Sequence, residues 1–142
     1  MRSNVYLVFN GTCRQAMQFY AKCLGGDLQL MPFSEAPKEM CPPGAASKDL
    51  IMHARLTKGD AVIMASDGQP GQPLKIGDNF SVSLLCDSVP EIERIYGAFR
   101  EGGKVTMELG ETFWAVRFGM LTDRFGVNWM FNLEKPMGKE KA

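Results

Sequence analysis

The one histidine of the chain, His53, stands two residues before Arg55 in Ile51-Met52-His53-Ala54-Arg55-Leu56. In an extended strand, residues i and i+2 share a face. His53 and Arg55 then form a polar patch that could hold an anion or move a proton. The same spacing also describes a histidine that supports its sheet by a hydrogen bond, with Arg55 at the solvent edge. A second group comes from Glu111-Thr112-Phe113-Trp114, which runs into a strand carrying Arg117. Glu111 and Arg117 offer a binding pair, a carboxylate base, or a surface ion pair of little energetic weight. Trp114 and Trp129 suit either an apolar pocket wall or ordinary core. Asp67, after Met64-Ala65-Ser66, either caps the following turn or faces a cavity mouth. There is no G-x-S-x-G elbow and no Walker-type phosphate loop.

The elements that must carry these residues follow from hydrophobic periodicity and turn signals. Val5 to Phe9 is β-branched and aromatic, a predicted strand closed by Asn10-Gly11. Thr12 with Gln15 has the pattern of a capping box. Ala16, Phe19, Tyr20 and Cys23 follow at helical spacing, and Gly25-Gly26 ends that helix. Leu28–Phe33, Leu50–Leu56 and Ala61–Ala65 are predicted strands, the last two joined at Lys58-Gly59-Asp60. Between them, residues 34–48 form a loop rich in proline and small residues, long enough to suggest a lid or mobile segment. Residues 68–79 form a linker rich in glycine and proline. The second half then repeats the plan. Phe80–Cys86 is a strand, Pro90 opens a helix with a stripe at Ile92, Ile95, Tyr96 and Phe99, and Gly102-Gly103 ends it. Val105–Met107, Trp114–Leu121 and Val127–Phe131 are strands, the last two forming a hairpin around Asp123-Arg124-Phe125-Gly126.

Phe19–Gly26 and Tyr96–Gly103 align at an offset of 77 residues, which also pairs Phe9-Asn10 with Cys86-Asp87. Leu56-Thr57 and Leu121-Thr122 occupy matching places. An internal βαβββ repeat is the economical reading. The expectation is an α+β fold in which 1–142 is one domain of two modules. The first module is 4–67, the linker 68–79, the second module 80–134, and 135–142 a charged, solvated tail. Each helix covers one face of its sheet, and the other faces are free to curve around a cavity.

Composition bounds the function. Sixteen basic residues balance sixteen acidic ones, and 45% of residues are hydrophobic. A neutral chain has no electrostatic footprint for nucleic acid, and this apolar content argues against disorder. No apolar run approaches the ~18 residues of a membrane helix. The N-terminal Met1 to Gly11 reads as a strand rather than a signal peptide. Cys13, Cys23, Cys41 and Cys86 are scattered without C-x-x-C pairing, which fits a reducing cytoplasm. Cys41, in the proline-rich loop, is the thiol with the best claim to exposure.

Tyr6-Leu7-Val8-Phe9-Asn10-Gly11, Phe19-Tyr20, Met52-His53-Ala54-Arg55-Leu56, Met64-Ala65-Ser66-Asp67, Glu111-Thr112-Phe113-Trp114 and Phe125-Gly126-Val127-Asn128-Trp129-Met130 together resemble the PhnB-like family. That family belongs to the vicinal-oxygen-chelate superfamily, with glyoxalase I, extradiol dioxygenases and antibiotic-resistance proteins. The resemblance spans roughly residues 4–134 in order. It implies paired βαβββ modules forming a half-open, curved mixed sheet, and a homodimer. Superfamily enzymes hold one divalent metal through His or Glu from the first and last strands of both modules. Here those strands offer Tyr6 or Val8, Met64 or Ser66, Ser81 or Ser83, and Met130 where a terminal Glu would be expected. None of these suits such a metal. Some family members carry a methyltransferase label, but this chain has no glycine-rich strand–helix turn for a nucleotide-like methyl donor.

The leading reading is a cytoplasmic PhnB-type protein with no metal cofactor. It binds a small, partly apolar organic molecule in a cavity between the sheet halves. The ligand-binding candidates are His53, Arg55, Glu111, Trp114, Arg117, Trp129 and Met130, with the 34–48 loop as a cover. Whether it catalyses a reaction is left open. The alternative is a metal-dependent lyase or dioxygenase with non-standard ligands, drawing on His53 and Glu111. A third reading is an interaction module with a packed, closed cavity.

Overall fold

The computed structural model of the protein describes residues 1–46 and 48–136. Ser47 of the predicted loop and residues 137–142 of the predicted tail lie outside the described residues. The chain divides into two compact units, Met1–Ile76 and Gly77–Ala142.

The first unit runs β1 (Val5–Phe9), α1 (Cys13–Leu24), β2 (Asp27–Pro32), β3 (Ile51–Lys58) and β4 (Ala61–Asp67). Its sheet order is β1-β4-β3-β2, with β1 parallel to β4 and the other pairs antiparallel. The second unit runs β5 (Val82–Leu85), α2 (Val89–Phe99), β6 (Lys104–Gly110), β7 (Ala115–Thr122) and β8 (Asn128–Glu134). Its order is β5-β8-β7-β6, with β5 parallel to β8. The two mixed sheets therefore share one topology, as the βαβββ repeat predicts, and the fold is α+β. Among the described residues no helix is long and apolar enough to cross a membrane.

Each helix buries one stripe on one sheet face. Cys13, Ala16, Met17, Tyr20, Cys23 and Leu24 are buried along α1, the i, i+3, i+4 spacing of an amphipathic helix. They meet Leu7, Phe9, Ala54, Leu56, Ile63 and Ala65, the alternate residues of the strands beneath. In the second unit, α2 lays Phe99 edge-on against Trp129 and Phe131, with ring centroids 4.6 and 5.4 Å apart. Tyr96 meets Phe131 at 5.5 Å.

The glycine pairs repeat down to their contacts. Gly25 and Gly102 take left-handed φ of 78° and 75°. The glycine after each lies against a strand carbonyl. A Cβ on Gly26 would strike the Thr57 carbonyl oxygen, and one on Gly103 would stand 2.5 Å from that of Thr122. Thr57 and Thr122 are the positions the sequence alignment of the halves pairs.

The helix starts differ from expectation. Thr12 makes no side-chain cap. Asp67, arriving from the end of β4, accepts the N–H groups of Gly11 at 2.9 Å and Cys13 at 3.0 Å on Oδ1, and that of Ile51 at 2.8 Å on Oδ2. It thus serves α1 and β3 rather than its own following turn. A variant of the capping box lies instead on α2, with Glu91 reaching the residue before the N-cap Ser88. Ser88 Oγ accepts from the Glu91 N–H at 3.2 Å, and Glu91 Oε1 accepts from the Asp87 N–H at 2.8 Å.

Two strands differ in extent. β5 is shorter than Phe80–Cys86 because its parallel pairing with β8 covers only Val82 to Leu85. β6 is longer than Val105–Met107 and carries register shifts after Val105 and after Met107. The predicted 34–48 loop is no bare excursion either. Phe33–Glu35 and Lys38–Met40 form single 3₁₀ turns. Phe33, Ala45 and Leu50 make a small buried cluster joined by Cys41 and Met52. Arg14 of α1 reaches Asp49 at 3.0 Å.

Candidate functional site

In the first unit, the sheet face turned away from α1 is built by the strand period of two. It carries Tyr6 and Val8 of β1, Gln29 and Met31 of β2, His53 and Arg55 of β3, and Met64 and Ser66 of β4. Gln29, Arg55, Met64 and Tyr6 are successive cross-strand neighbours in one row. Met31 faces His53, and Val8 faces Ser66. The Tyr6 hydroxyl lies 3.2 Å from His53 Nδ1, with the two rings 5.7 Å apart. The imidazole can accept from the phenol and keep its proton on Nε2, or donate through Nδ1. Arg55 Nη1 donates to Met64 Sδ at 3.7 Å. Among the described residues no carboxylate pairs with Arg55. Tyr6, Val8 and Met31 are each nearly half exposed. The result is a guanidinium, an imidazole and a phenol on an open apolar surface.

The expected companions in the second unit separate. Trp129 is 1% exposed and lies under α2, with Nε1 donating to Asp123 Oδ2 at 2.8 Å. It is helix-side core, not a wall of the open face. Arg117 also sits on the helix side. It faces Leu133 in register, approaches Glu93 of α2 at 4.0 Å and donates to the Val116 carbonyl at 2.8 Å. Arg117 lies three residues after Trp114, an odd spacing that sends the two side chains to opposite faces. Glu111 does not pair with Arg117. It lies 2.9 Å from Lys135 Nζ, which holds its carboxyl below the usual carboxylate range.

Trp114 and Met130 do belong to the open side. The Trp114 ring stands edge-on over Phe118 at 5.2 Å and carries Phe113, 89% exposed, on its other flank. Phe118 faces Asn132, and Met130 lies between Met120 and Ser83. Asn132 Oδ1 is buried with no hydrogen-bond partner. Sequence reasoning missed Asn132, and it weighed Tyr6 only as an unsuitable metal donor. The alternation Tyr6-Leu7-Val8-Phe9 held the signal for Tyr6.

The donor chemistry of the strands that would hold a divalent metal is poor. Their open-face positions carry Tyr6, Val8, Met64, Ser66, Ser83, Leu85, Met130 and Asn132, none of them imidazole or carboxylate. Among the described residues no three His, Cys, Asp or Glu side chains gather into a group able to hold a metal ion. These residues do not fit the superfamily's metal.

The thiols do not fit nucleophilic chemistry. Burial, then the Asp67 charge, pushes the Cys13 thiol up to about 12, and burial pushes Cys86 to about 11. At pH 8 the thiolate population of Cys13 is about a thousandfold below that of an ordinary thiol. In folded protein treated with iodoacetamide at pH 8, half-buried Cys41 is therefore expected to label first. Cys13 and Cys86 should label only on unfolding, as peptide mass mapping would show. Both thiols ionise more readily unfolded than folded. Their contribution to stability is accordingly intact below pH 9 and lost as pH climbs towards 11 and 12.

Residues 2–131 match the Glyoxalase family, described as the Glyoxalase/Bleomycin resistance protein/Dioxygenase superfamily. Protein YjdN of Escherichia coli strain K12 is 37% identical over 138 residues, covering 92% of this chain and 93% of that one. The crystal structure of protein PA1353 from Pseudomonas aeruginosa shares 49% identity at a TM-score of 0.85, over 96% of this chain and 99% of that one. A PhnB protein from Bacillus cereus shares the fold at a TM-score of 0.73 and 22% identity, over 94% of this chain and 99% of that one. With the family match spanning both βαβββ units, the chain belongs to the glyoxalase/bleomycin resistance protein/dioxygenase superfamily.

Proposed function

We propose that the protein binds a small organic anion with an apolar body, that the open face of the first sheet takes the anionic group, and that no resident divalent metal takes part. The observation that carries the reading is Arg55. Its guanidinium stands on an open strand face with a thioether, not a carboxylate, as its hydrogen-bond partner. A sulfur acceptor is weak, so an incoming carboxylate or phosphonate-type oxygen displaces little and gains a charge-assisted hydrogen bond. Tyr6 and His53 supply a second polar anchor. Val8, Met31 and Met64 offer apolar surface beside it. A few fixed polar groups in an apolar surround are what small-molecule recognition needs. We further infer a cytoplasmic homodimer. The superfamily's dimers support the second part. The absence of disulfides among the four cysteines suits the first.

Phenylacetate is a suitable probe, titrated against isotopically labelled protein and followed by NMR. The expected result is a saturable shift at Tyr6, His53, Arg55 and Met64. Arg55→Ala should weaken binding about tenfold or more, since hydrogen bonds to charged groups are worth about 1.5–3 kcal/mol. No response on this face, or an unchanged response in Arg55→Ala, would overturn the assignment. Elemental analysis of protein purified without a metal-affinity tag tests the second part. A stoichiometric divalent metal would refute it.

A further inference from the structure

We propose that the open face of the second sheet holds a soft monovalent cation, of the copper(I) class, on the thioethers of Met107, Met120 and Met130. Met107 faces Met120 across β6 and β7, and Met120 faces Met130 across β7 and β8. Three methionines therefore stand in one row on three neighbouring strands. Directly opposed residues of an antiparallel pair have Cβ atoms about 4.5–5.5 Å apart. The three rotatable bonds of methionine let the outer two lean over the middle one.

The register is not a by-product of simple alternation. Val105 faces Leu121, and the next pair is Met107 with Met120. The extra residue, Thr106, is absorbed in a bulge. Without it, Thr106 would face Met120 and the row would have two thioethers. Nor is the row ordinary core. Core in this unit lies on the helix side, around Phe99, Leu121, Trp129 and Phe131. Met107 is 42% exposed, and Met120 and Met130 are half-buried. The neighbour that continues the row is Ser83, opposite Met130.

Chemistry selects the occupant. Thioethers are soft, neutral donors that favour copper(I). Hard divalent ions need several oxygen or imidazole donors, and the row with its neighbour offers one neutral hydroxyl, that of Ser83. The site is thus separate from the anion site of the first unit in residues and in chemistry, and neither proposal depends on the other.

The test uses the full chain carrying Cys41→Ser, which removes the half-buried thiol that would compete. Silver(I) serves as a redox-inert probe, and the methionine methyl groups are ¹³C-labelled. The expected result is that one equivalent of silver(I) shifts the Met107, Met120 and Met130 methyls together, with buried Met17 unmoved. Met120→Leu, of similar volume, should weaken silver binding at least tenfold. Met31→Leu, on the first sheet, should leave it unchanged. If Met120→Leu perturbs the remaining methyl spectrum, Met107→Leu at the exposed edge takes its place. Silver shifts that follow exposure across all methionines would overturn the proposal. So would no shift at the three, or binding indifferent to both row variants.

Discussion

Asp67→Ala is expected to lower the unfolding free energy by about 3–5 kcal/mol, with buried unsatisfied donors costing about 1–3 kcal/mol each. The carboxylate is 5% exposed and accepts three backbone N–H groups, from Gly11, Cys13 and Ile51. These belong to the turn after β1, the first residue of α1 and the start of β3. Alanine would leave all three donors without this acceptor, those of Cys13 and Ile51 buried and that of Gly11 part-buried, and would release the start of the helix from its sheet. Asp67→Asn keeps one carbonyl oxygen and should lose less. Urea unfolding measures both. The midpoint should fall while the slope holds, because the surface exposed on unfolding is unchanged. A loss under ~1 kcal/mol for alanine, no more than an average hydrogen bond, would show that water replaces the carboxylate and that the pin is dispensable.

Trp129→Ala should cost about as much, 3–5 kcal/mol being usual for a large buried aromatic. The ring fills the space under Phe99 and its Nε1 satisfies Asp123 Oδ2. Asp123 Oδ1 holds the turn through the Phe125 and Val127 N–H groups at 2.8 and 3.0 Å. Truncation therefore opens a cavity and removes the indole N–H that donates to a buried carboxylate. The melting temperature should drop by roughly 10 °C, at a few degrees per kcal/mol for a chain of this size. A residue lining a ligand surface would behave otherwise, with affinity lost and stability kept. Thermal unfolding beside the phenylacetate titration separates the two roles. A stable Trp129→Ala protein with impaired binding would return Trp129 to the site.

The same pair shows what a linear reading can and cannot reach. Trp129 and Met130 are adjacent, and the sequence makes both of them candidates for the pocket lining. A strand sends adjacent side chains to opposite faces, so at most one of them could belong to the open side. Which one depends on where α2 lies. Arg117 is a sharper case. It lies three residues after Trp114, so alternation alone sets the two on opposite faces, and only the position of α2 makes the face of Arg117 the helix side. Glu111 found Lys135 because β8 runs past the Glu111–Trp114 loop, a neighbour 24 residues distant in the chain.

Element order, the two helical stripes, the glycine exits and the repeat of the two halves were legible in the residues themselves. Each is a local signal, carried by side-chain period or by backbone angles that only glycine adopts at low cost. His53 and Arg55 sharing a face belongs to the same class, since it needs nothing beyond the pleat of one strand. Tertiary pairing alone made Asp67 the cap of a helix that begins over fifty residues earlier, put Arg117 beneath α2, and brought Met107 opposite Met120. Those outcomes rest on register and on backbone donors from distant segments. A bulge of one residue can reverse them without altering any local pattern.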